Sequence, residues 1–305
     1  MNWFLIALSA PFLWSLVNHF DKYVLEKYLK GRGVGSLILF SCLFGIVLLP
    51  IIYFFIEPNV FTISHLHALT LWAMGIFTAI SIVLYLYALE TEETSIVVPF
   101  FQIIPVFGYI LGYFLLGEQL TALQVFALVV VVLGAAILSF EFGDGKKIRL
   151  KGKVVTLMLT STFITAITET MFKSIAIKES FWISTFWTSV GLATFGLIAF
   201  ACIKKYRNDF IYALKVNTRR IIALNMAAES IYIIANILFS YATLLAPIAL
   251  VLLVNAYQPI FVFAEGVLLT LLFPAIATEK ISSKHLVHKI VALAIILAGS
   301  YMLYA

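Results

Sequence analysis

The chain has 305 residues, of which 63% are hydrophobic and only 11% are charged, and its mean hydropathy is +1.08. A soluble globular domain is about 45–50% apolar and about 25% charged, so these few charges could not cover this much apolar surface in water. The composition therefore excludes a soluble enzyme, a disordered or fibrous chain and, despite the net charge of +5, a nucleic-acid binder. It indicates a polytopic membrane protein.

Ten apolar runs follow one another along the chain, each suited to a membrane-spanning helix. Such a helix needs about 20 apolar residues to cross a hydrocarbon core of about 30 Å. The runs lie at roughly residues 3–20, 35–56, 68–89, 95–116, 122–140, 154–175, 183–203, 221–242, 248–273 and 290–304. Little chain remains between them, so we expect short loops and no extramembrane domain. No Lys or Arg precedes the first run, which predicts a retained helix rather than a cleaved signal peptide.

Local motifs predict details of the fourth and fifth helices. Thr121 immediately precedes the fifth apolar run, and Gln124 lies three residues after Thr121. This spacing predicts a capping box at the start of that helix. Gly108 and Gly112 form a GxxxG motif in the fourth run, which predicts close packing against another helix.

The basic residues are unevenly distributed between the connections. Eighteen of the 20 Lys and Arg residues lie after predicted spans one, five, seven and nine, and the other two lie at the end of span six or just after it. By the positive-inside rule, the odd-numbered connections are cytoplasmic and both termini face outward. We expect a multi-pass protein of a prokaryotic plasma (inner) membrane.

The second half of the chain repeats the first. Tyr87-Ala88 recurs as Tyr241-Ala242, and Pro105 recurs as Pro259, both 154 residues later. Each proline is expected to kink its helix, because it lacks a backbone N–H and its ring crowds the preceding turn.

The repeat predicts the architecture of the whole chain. Five helices per half is an odd number, so the second half enters the membrane upside down relative to the first. The predicted fold is an all-α polytopic membrane protein of ten transmembrane helices, arranged as two inverted five-helix repeats at residues 1–145 and 146–305. Inverted repeats are typical of alternating-access transporters, whose substrate sites lie near the membrane midplane between the repeats.

The chain also resembles a known family. In the first half the resemblance rests on Ala88-Leu89, Thr94-Ser95, Pro105, Leu116-Gly117-Glu118-Gln119-Leu120-Thr121 and Leu133-Gly134-Ala135-Ala136-Ile137-Leu138. The second half repeats this pattern more weakly, through Pro259, Glu279-Lys280-Ile281-Ser282 and Ile296-Leu297-Ala298-Gly299. These motifs resemble the signature of the EamA family of the drug/metabolite transporter superfamily. The resemblance implies a five-plus-five inverted fold and transport of a small metabolite, often an amino acid or a related compound.

A polar stripe runs along the eighth predicted span. Asn225, Glu229, Tyr232 and Asn236 recur at helical spacing, which places them on one face of an otherwise apolar helix. Such a stripe either lines a water-filled path or joins two helices through hydrogen bonds. Glu229 lies well inside the span, which makes it the first candidate for a proton site or for a contact with a substrate amine.

The sixth predicted span carries a second stripe, formed by Thr162, Thr165, Glu169 and Lys173. Glu169 is the second candidate for the same role. Its spacing of four residues from Lys173 also allows an ion pair between the two side chains, so a structural pair and a contact with substrate are both open.

Five further residues are predicted to face the same cavity: Asn255 and Gln258 on span nine, Gln102 on span four, and Asn18 and Trp14 on span one. Asn18 occupies the position that corresponds to Glu169 in the repeat. Trp14 lies one turn before Asn18, where it could form an aromatic wall or pack against neighbouring helices.

The favoured function is secondary transport of a small polar or amphipathic metabolite, which an amino acid would satisfy. No nucleotide-binding motif is present, so transport is expected to be downhill or coupled to a proton or another cation. The expected partners are the substrate and the lipid bilayer; no cofactor, metal or nucleic acid is expected, and the sequence does not indicate an oligomeric state. The alternatives are a flippase for a lipid-linked substrate and a membrane-embedded enzyme acting on a lipid.

Overall fold

The computed structural model describes residues 2–27, 33–91, 97–139, 152–215, 218–272, 291, 294–299 and 301–302. Within these ranges every regular element is helical, as the composition predicted. The predicted boundary between the repeats, at residues 145 and 146, lies outside the described ranges, as does the second-half motif Glu279–Ser282.

The described residues of the first half form five helices. They are α1 (Asn2–Lys27), α2 (Gly33–Ile51, continued by a π-helical turn Ile52–Ile56), α3 (His65–Thr91), α4 (a 3₁₀ segment Val98–Ile103, an α segment Ile104–Leu111 and a π turn Gly112–Leu116) and α5 (Ala122–Ser139).

The second half continues with another five described helices. They are α6 (Gly152–Ala176), α7 (Phe181–Cys202), α8 (Lys204–Lys215), α9 (Thr218–Leu245) and α10 (Ile248–Leu253, a 3₁₀ segment Val254–Tyr257, then Gln258–Leu272). Residues 294–299 are also helical, within the tenth predicted span.

Among the described residues, seven helices are long and apolar enough to cross a membrane. These candidate spans are Trp3–Phe20, Val34–Ile56, His65–Ala88, Gly152–Ala176, Phe181–Cys202, Ile222–Leu245 and Ile248–Leu269. Two shorter apolar helices, Phe100–Leu116 and Ala122–Gly134, coincide with predicted spans four and five. Large apolar side chains face outward, among them Phe55 at 84% exposure and Phe114 at 76%, as lipid contact requires. The chain is an integral multi-pass membrane protein.

The helices of the two halves pack mainly on one another. Helix α1 packs along α9 and α10, α3 lies between α6 and α7, and α2 packs on α7. The closest approach is at Gly75 of α3 and Gly191 of α7: a Cβ at Gly75 would lie 2.1 Å from the Thr188 carbonyl oxygen, and one at Gly191 would lie 1.9 Å from that of Trp72. Only glycine lets the two backbones come this close.

The predicted GxxxG packing is confirmed at the contact between α4 and α10. A Cβ at Gly108 would lie 2.3 Å from the Leu252 side chain, and one at Gly112 would lie 2.7 Å from that of Ile248. Helix α4 then ends at Gly117, whose left-handed φ of 67° an L side chain would oppose. This end directs the next residue, Glu118, toward α6.

The predicted capping box at the start of α5 is also confirmed. The Thr121 backbone N–H donates to Gln124 Oε1 at 3.0 Å, and the Gln124 backbone N–H donates to Thr121 Oγ1 at 3.2 Å. The two residues thereby satisfy backbone donors that the first turn of a helix leaves without partners.

Both halves tighten into a 3₁₀ turn immediately before the repeated proline. The 3₁₀ segment of α4 ends at Ile103 and that of α10 ends at Tyr257, and the α-helix resumes at Ile104 and Gln258. The two boundaries are 154 residues apart, which is the offset of the sequence repeat. The irregular turns lie where the prolines were predicted to distort their helices.

The basic connection after predicted span seven is a helix rather than the loop that we expected. In α8, Tyr206, Asp209 and Ala213 are buried, while the helix is rich in Lys and Arg. Tyr206 reaches α3, where its hydroxyl lies 2.9 Å from that of Tyr87. The spacing of the buried residues, at i, i+3 and i+7, is the amphipathic signal that the sequence contained.

Candidate functional site

A cavity of about 240 Å³ lies between the two halves of the protein. Its wall is built from α1, α2 and α3 of the first half and from α6, α7, α9 and α10 of the second. Most of these helices contribute residues from their middle turns, such as Trp14, Thr78 and Glu169. The site therefore exists only because the two halves pack on each other.

The wall is apolar with a band of hydroxyl groups. The Ser and Thr residues that line it are Ser41, Thr78, Ser81, Thr165, Thr168, Thr185, Thr188, Ser189 and Ser240. Four aromatic residues also line it, namely Trp14, Phe172, Tyr232 and Phe239. The three α7 hydroxyls were missed by the sequence analysis, although their positions at 185, 188 and 189 form a helical stripe in an apolar run.

Glu169 is the only charged residue among the described residues of this wall. Its Oε2 atom is buried and accepts no hydrogen bond from the described part of the chain. Asn255, on α10, also lines the cavity, and its Oδ1 atom is likewise buried without a donor among the described residues. Two predicted site residues thus present unused acceptor atoms in one cavity wall.

Lys173 does not form an ion pair with Glu169. Of the two arrangements that the sequence left open for Glu169, the structure has the one in which it lines the cavity. The Lys173 ammonium group forms an ion pair with Glu118, from the end of α4, and donates to the Ala246 carbonyl at 2.6 Å. Glu118 Oε2 in turn accepts the backbone N–H of Ile248 at 2.7 Å. The ammonium group of Lys173 is therefore engaged by two other segments of the fold, the end of α4 and the turn between α9 and α10.

Trp14, Tyr232 and Asn236 meet at the boundary between α1 and α9, and all three line the cavity. The Trp14 indole N–H donates to Asn236 Oδ1 at 3.2 Å. The Trp14 ring lies 5.1 Å from that of Phe239. These contacts fix the aromatic wall that the sequence suggested for Trp14, and they use its only hydrogen-bond donor.

Glu229 lies beside the cavity and is linked to one residue of its wall by a hydrogen bond. Its Oε1 atom accepts the Ser41 hydroxyl at 2.6 Å, and Ser41 itself lines the cavity. Glu229 is buried but is not among the described lining residues. The polar stripe of span eight therefore divides, since Tyr232 and Asn236 reach the cavity while Glu229 joins α9 to α2.

Three other predicted residues are also absent from the described wall. Gln102 is buried elsewhere, Gln258 is half-buried outside the cavity, and Asn18 is exposed. Asn18 lies one turn beyond Trp14 on α1, but its correspondence to Glu169 in the repeat does not bring it into the described wall.

A third intramembrane carboxylate, Glu265, faces α1 rather than the cavity. Its Oε1 atom accepts the Ser15 hydroxyl at 2.7 Å, and its Oε2 atom lies 3.9 Å from His19 Nε2. These contacts hold α10 against α1. The sequence showed that Glu265 lies within a span but did not reveal these partners.

Comparisons with known proteins give a family match for residues 1–140 and a shared fold for the chain. Residues 1–140 match the family model of the EamA-like transporter family, which belongs to the drug/metabolite transporter superfamily. No curated protein matches the chain. A protein of known crystal structure is similar with a TM-score of 0.67 and 14% identity, over 99% of this chain and 96% of that one. At this identity the likeness shows a shared fold alone.

The match confirms the resemblance that the motifs indicated. The first 140 residues, which include α1 to α5, match the EamA-like transporter family. Members of that family, which belongs to the drug/metabolite transporter superfamily, are transporters rather than enzymes.

Proposed function

We propose that the protein is a secondary transporter that moves a small polar or amphipathic metabolite by alternating access. The observation that carries this proposal is the cavity between the halves, in which Glu169 is the one carboxylate among the described lining residues. A site walled by both halves can open to either side when the halves rearrange. A carboxylate inside a membrane span is costly unless a substrate, an ion or a proton uses it.

The proposed architecture is ten spans in two inverted repeats, at residues 1–145 and 146–305. The 3₁₀ turns at Ile103 and Tyr257 support it, because they recur at the offset of the sequence repeat. So do Gly134 and Gly299, which match in the repeat. A Cβ at Gly134 would lie 2.9 Å from the Ile295 side chain, and one at Gly299 would lie 2.7 Å from that of Val131. Such reciprocal packing is what a two-fold relation between the halves would produce.

The proposed orientation places the odd-numbered connections in the cytoplasm of a prokaryotic cell. Helix α8 fits this arrangement, because it carries Lys204, Lys205, Arg207 and Lys215 in the connection after predicted span seven. A C-terminal reporter that is active only in the cytoplasm should then give little signal, since the C-terminus is expected to face outward.

We further propose that Glu169, rather than Glu229, is the residue at which substrate or coupling cation binds. Both lie within spans, but Glu169 reaches the cavity, whereas Glu229 accepts a hydrogen bond from Ser41. The size of the cavity, about 240 Å³, favours a metabolite over the lipid-linked substrate of a flippase.

Uptake by purified protein in proteoliposomes tests this function. A metabolite library is first screened for ligands that raise the melting temperature, and radiolabelled ligands are then assayed for counterflow. We expect saturable counterflow that Glu169→Gln reduces at least about tenfold, because a neutral amide replaces the charge-assisted contact. Glu229→Gln should reduce counterflow less, because the Oε1 atom of the new glutamine can still accept the hydrogen bond from the Ser41 hydroxyl.

Glu57→Gln provides the control, because Glu57 lies in the connection between α2 and α3, outside the cavity. It should transport like the wild type. Equal counterflow by Glu169→Gln and wild type would contradict the role of Glu169, and failure of the wild type to exchange any stabilising ligand would contradict the proposed function.

A further inference from the structure

The hydrogen-bond donors of the cavity wall are largely in use. Eight of the nine Ser and Thr hydroxyls that line it donate to groups of the protein itself. On α7, for example, Thr185, Thr188 and Ser189 donate to carbonyl oxygens of the preceding turn at 2.8, 2.9 and 2.8 Å. A hydroxyl that donates in this way offers a ligand only its oxygen lone pairs.

Two acceptor atoms of wall residues, in contrast, have no donor among the described residues. Glu169 Oε2 and Asn255 Oδ1 are buried and have no donor in the described part of the chain. Buried polar atoms normally have a partner, because an unpaired acceptor costs about 1–3 kcal/mol. Two residues of the cavity wall therefore carry an acceptor atom without a donor, and one of these atoms belongs to a carboxylate.

The charges of the cavity wall also favour a ligand that donates hydrogen bonds and carries a positive charge. No Lys, Arg or His occurs among the described lining residues, so nothing in that wall could compensate a bound anion. The indole N–H of Trp14 is also engaged, by Asn236. An anionic ligand would lie near Glu169 without a counter-charge, whereas a cation would be stabilised both by the carboxylate and by the aromatic rings.

We propose that the cavity binds an organic ammonium ion, specifically a small amphipathic amine. Its N–H groups donate to Glu169 and Asn255, and its apolar body packs against Trp14, Phe172 and Phe239. This inference rests on the proposed transport function, because it names the substrate class of the same cavity. It also makes Glu169 and Asn255 the residues that determine specificity.

A set of nine probes tests the selectivity for charge. Three apolar bodies, n-butyl, cyclohexylmethyl and phenethyl, each carry an amine, an alcohol or a carboxylate, so that only the head group changes within a body. Purified wild-type protein is heated with each probe at neutral pH, and its melting temperature is recorded. We expect the amines to stabilise the protein, and the alcohols and carboxylates to bind about 10- to 100-fold more weakly. This comparison needs no variant.

Two variants then locate the selectivity. Glu169→Gln should lower the affinity for the amine to that for the alcohol. Asn255→Leu should lower the affinity for the amine severalfold, and the carboxylate should still not bind. Glu57→Gln should behave like the wild type. Stabilisation by the carboxylates, equal binding of all head groups, or no stabilisation by any amine would overturn the proposal.

The outcome for substrate class can be separated from the outcome for transport. Counterflow of a carboxylate but not of an amine would overturn the ammonium site while leaving the transport function intact. Binding of an amine without counterflow of that amine would retain the ammonium site and contradict transport.

Discussion

Two charged residues one turn apart on α6 have opposite surroundings. The ammonium group of Lys173 is paired with Glu118 and donates to the Ala246 carbonyl, and Glu118 also accepts the backbone N–H of Ile248. Glu169 lines the cavity with a buried oxygen that has no donor among the described residues. The charged groups around Lys173 therefore have partners within the protein, whereas Glu169 keeps one acceptor oxygen without a donor among the described residues.

The comparison separates a structural charge from a functional one. Lys173 joins the end of α4, helix α6 and the connection from α9 to α10, so its ion pair holds parts of both halves together. A buried charge whose partners lie within the protein contributes to the fold, and its removal leaves the partner uncompensated. A buried charge without a partner destabilises the fold until a ligand or a proton satisfies it.

The largest effect on stability is expected when the saturated region is broken. Lys173→Met removes the cation and leaves Glu118 without its ion pair, which should cost about 3–5 kcal/mol of unfolding free energy. The loss would appear as a lower melting temperature of the purified protein in detergent. Lys178→Met is the matched control, because Lys178 lies just beyond α6 and is exposed.

A double variant sharpens this test. Combining Lys173→Met with Glu118→Leu removes both charges, so it should recover part of the lost stability. If Lys173→Met has the same melting temperature as Lys178→Met and the wild type, the ion pair between Lys173 and Glu118 does not stabilise the fold.

A moderate effect is expected where α3 crosses α7. Gly75→Ala would place a Cβ 2.1 Å from the Thr188 carbonyl oxygen, and the backbones would have to separate. We expect a loss of about 1–3 kcal/mol, together with altered transport, because both helices form the cavity wall. Gly152→Ala is the control, since a Cβ there meets nothing within 4 Å. Equal melting temperatures for the two variants would contradict the close approach of α3 and α7.

The smallest effect on stability is expected at Glu169. Glu169→Gln removes a charge that no described residue compensates, so the melting temperature should stay at or above that of the wild type. Transport should nevertheless fall at least about tenfold, as a lost charge-assisted contact implies. A clear drop in melting temperature would mean that Glu169 contributes to the fold, and the contrast with Lys173 would then disappear.

Much of the fold follows from local patterns. Apolar runs of the required length predicted the seven candidate spans and the two shorter helices, because the bilayer demands long apolar segments with internally satisfied backbones. The capping box at Thr121 and Gln124 was predictable because both partners lie within four residues of chain. The irregular turns before Pro105 and Pro259 follow from the covalent structure of proline.

The candidate site was only partly predictable. Helical spacing showed that Tyr232, Asn236 and Glu169 lie on polar faces, and the structure brings all three into one cavity. The same spacing could not separate Glu229 from Tyr232, because both occupy the polar face of α9 while different helices cover its two ends. Asn18 was predicted to face the cavity from its place in the repeat, but correspondence in the repeat does not determine which side chains reach the cavity once the helices pack.

The sequence by itself determined that this protein lies in a membrane, that its helices span it, and that a few polar residues interrupt their apolar faces. These properties depend on composition and on neighbours along the chain. Only the tertiary structure decided that Lys173 pairs with Glu118, which is 55 residues away, and not with Glu169 one turn away. Spacing along a helix shows which pairs can form, but the packing of distant helices sets which partners come within reach and which charge remains in the cavity.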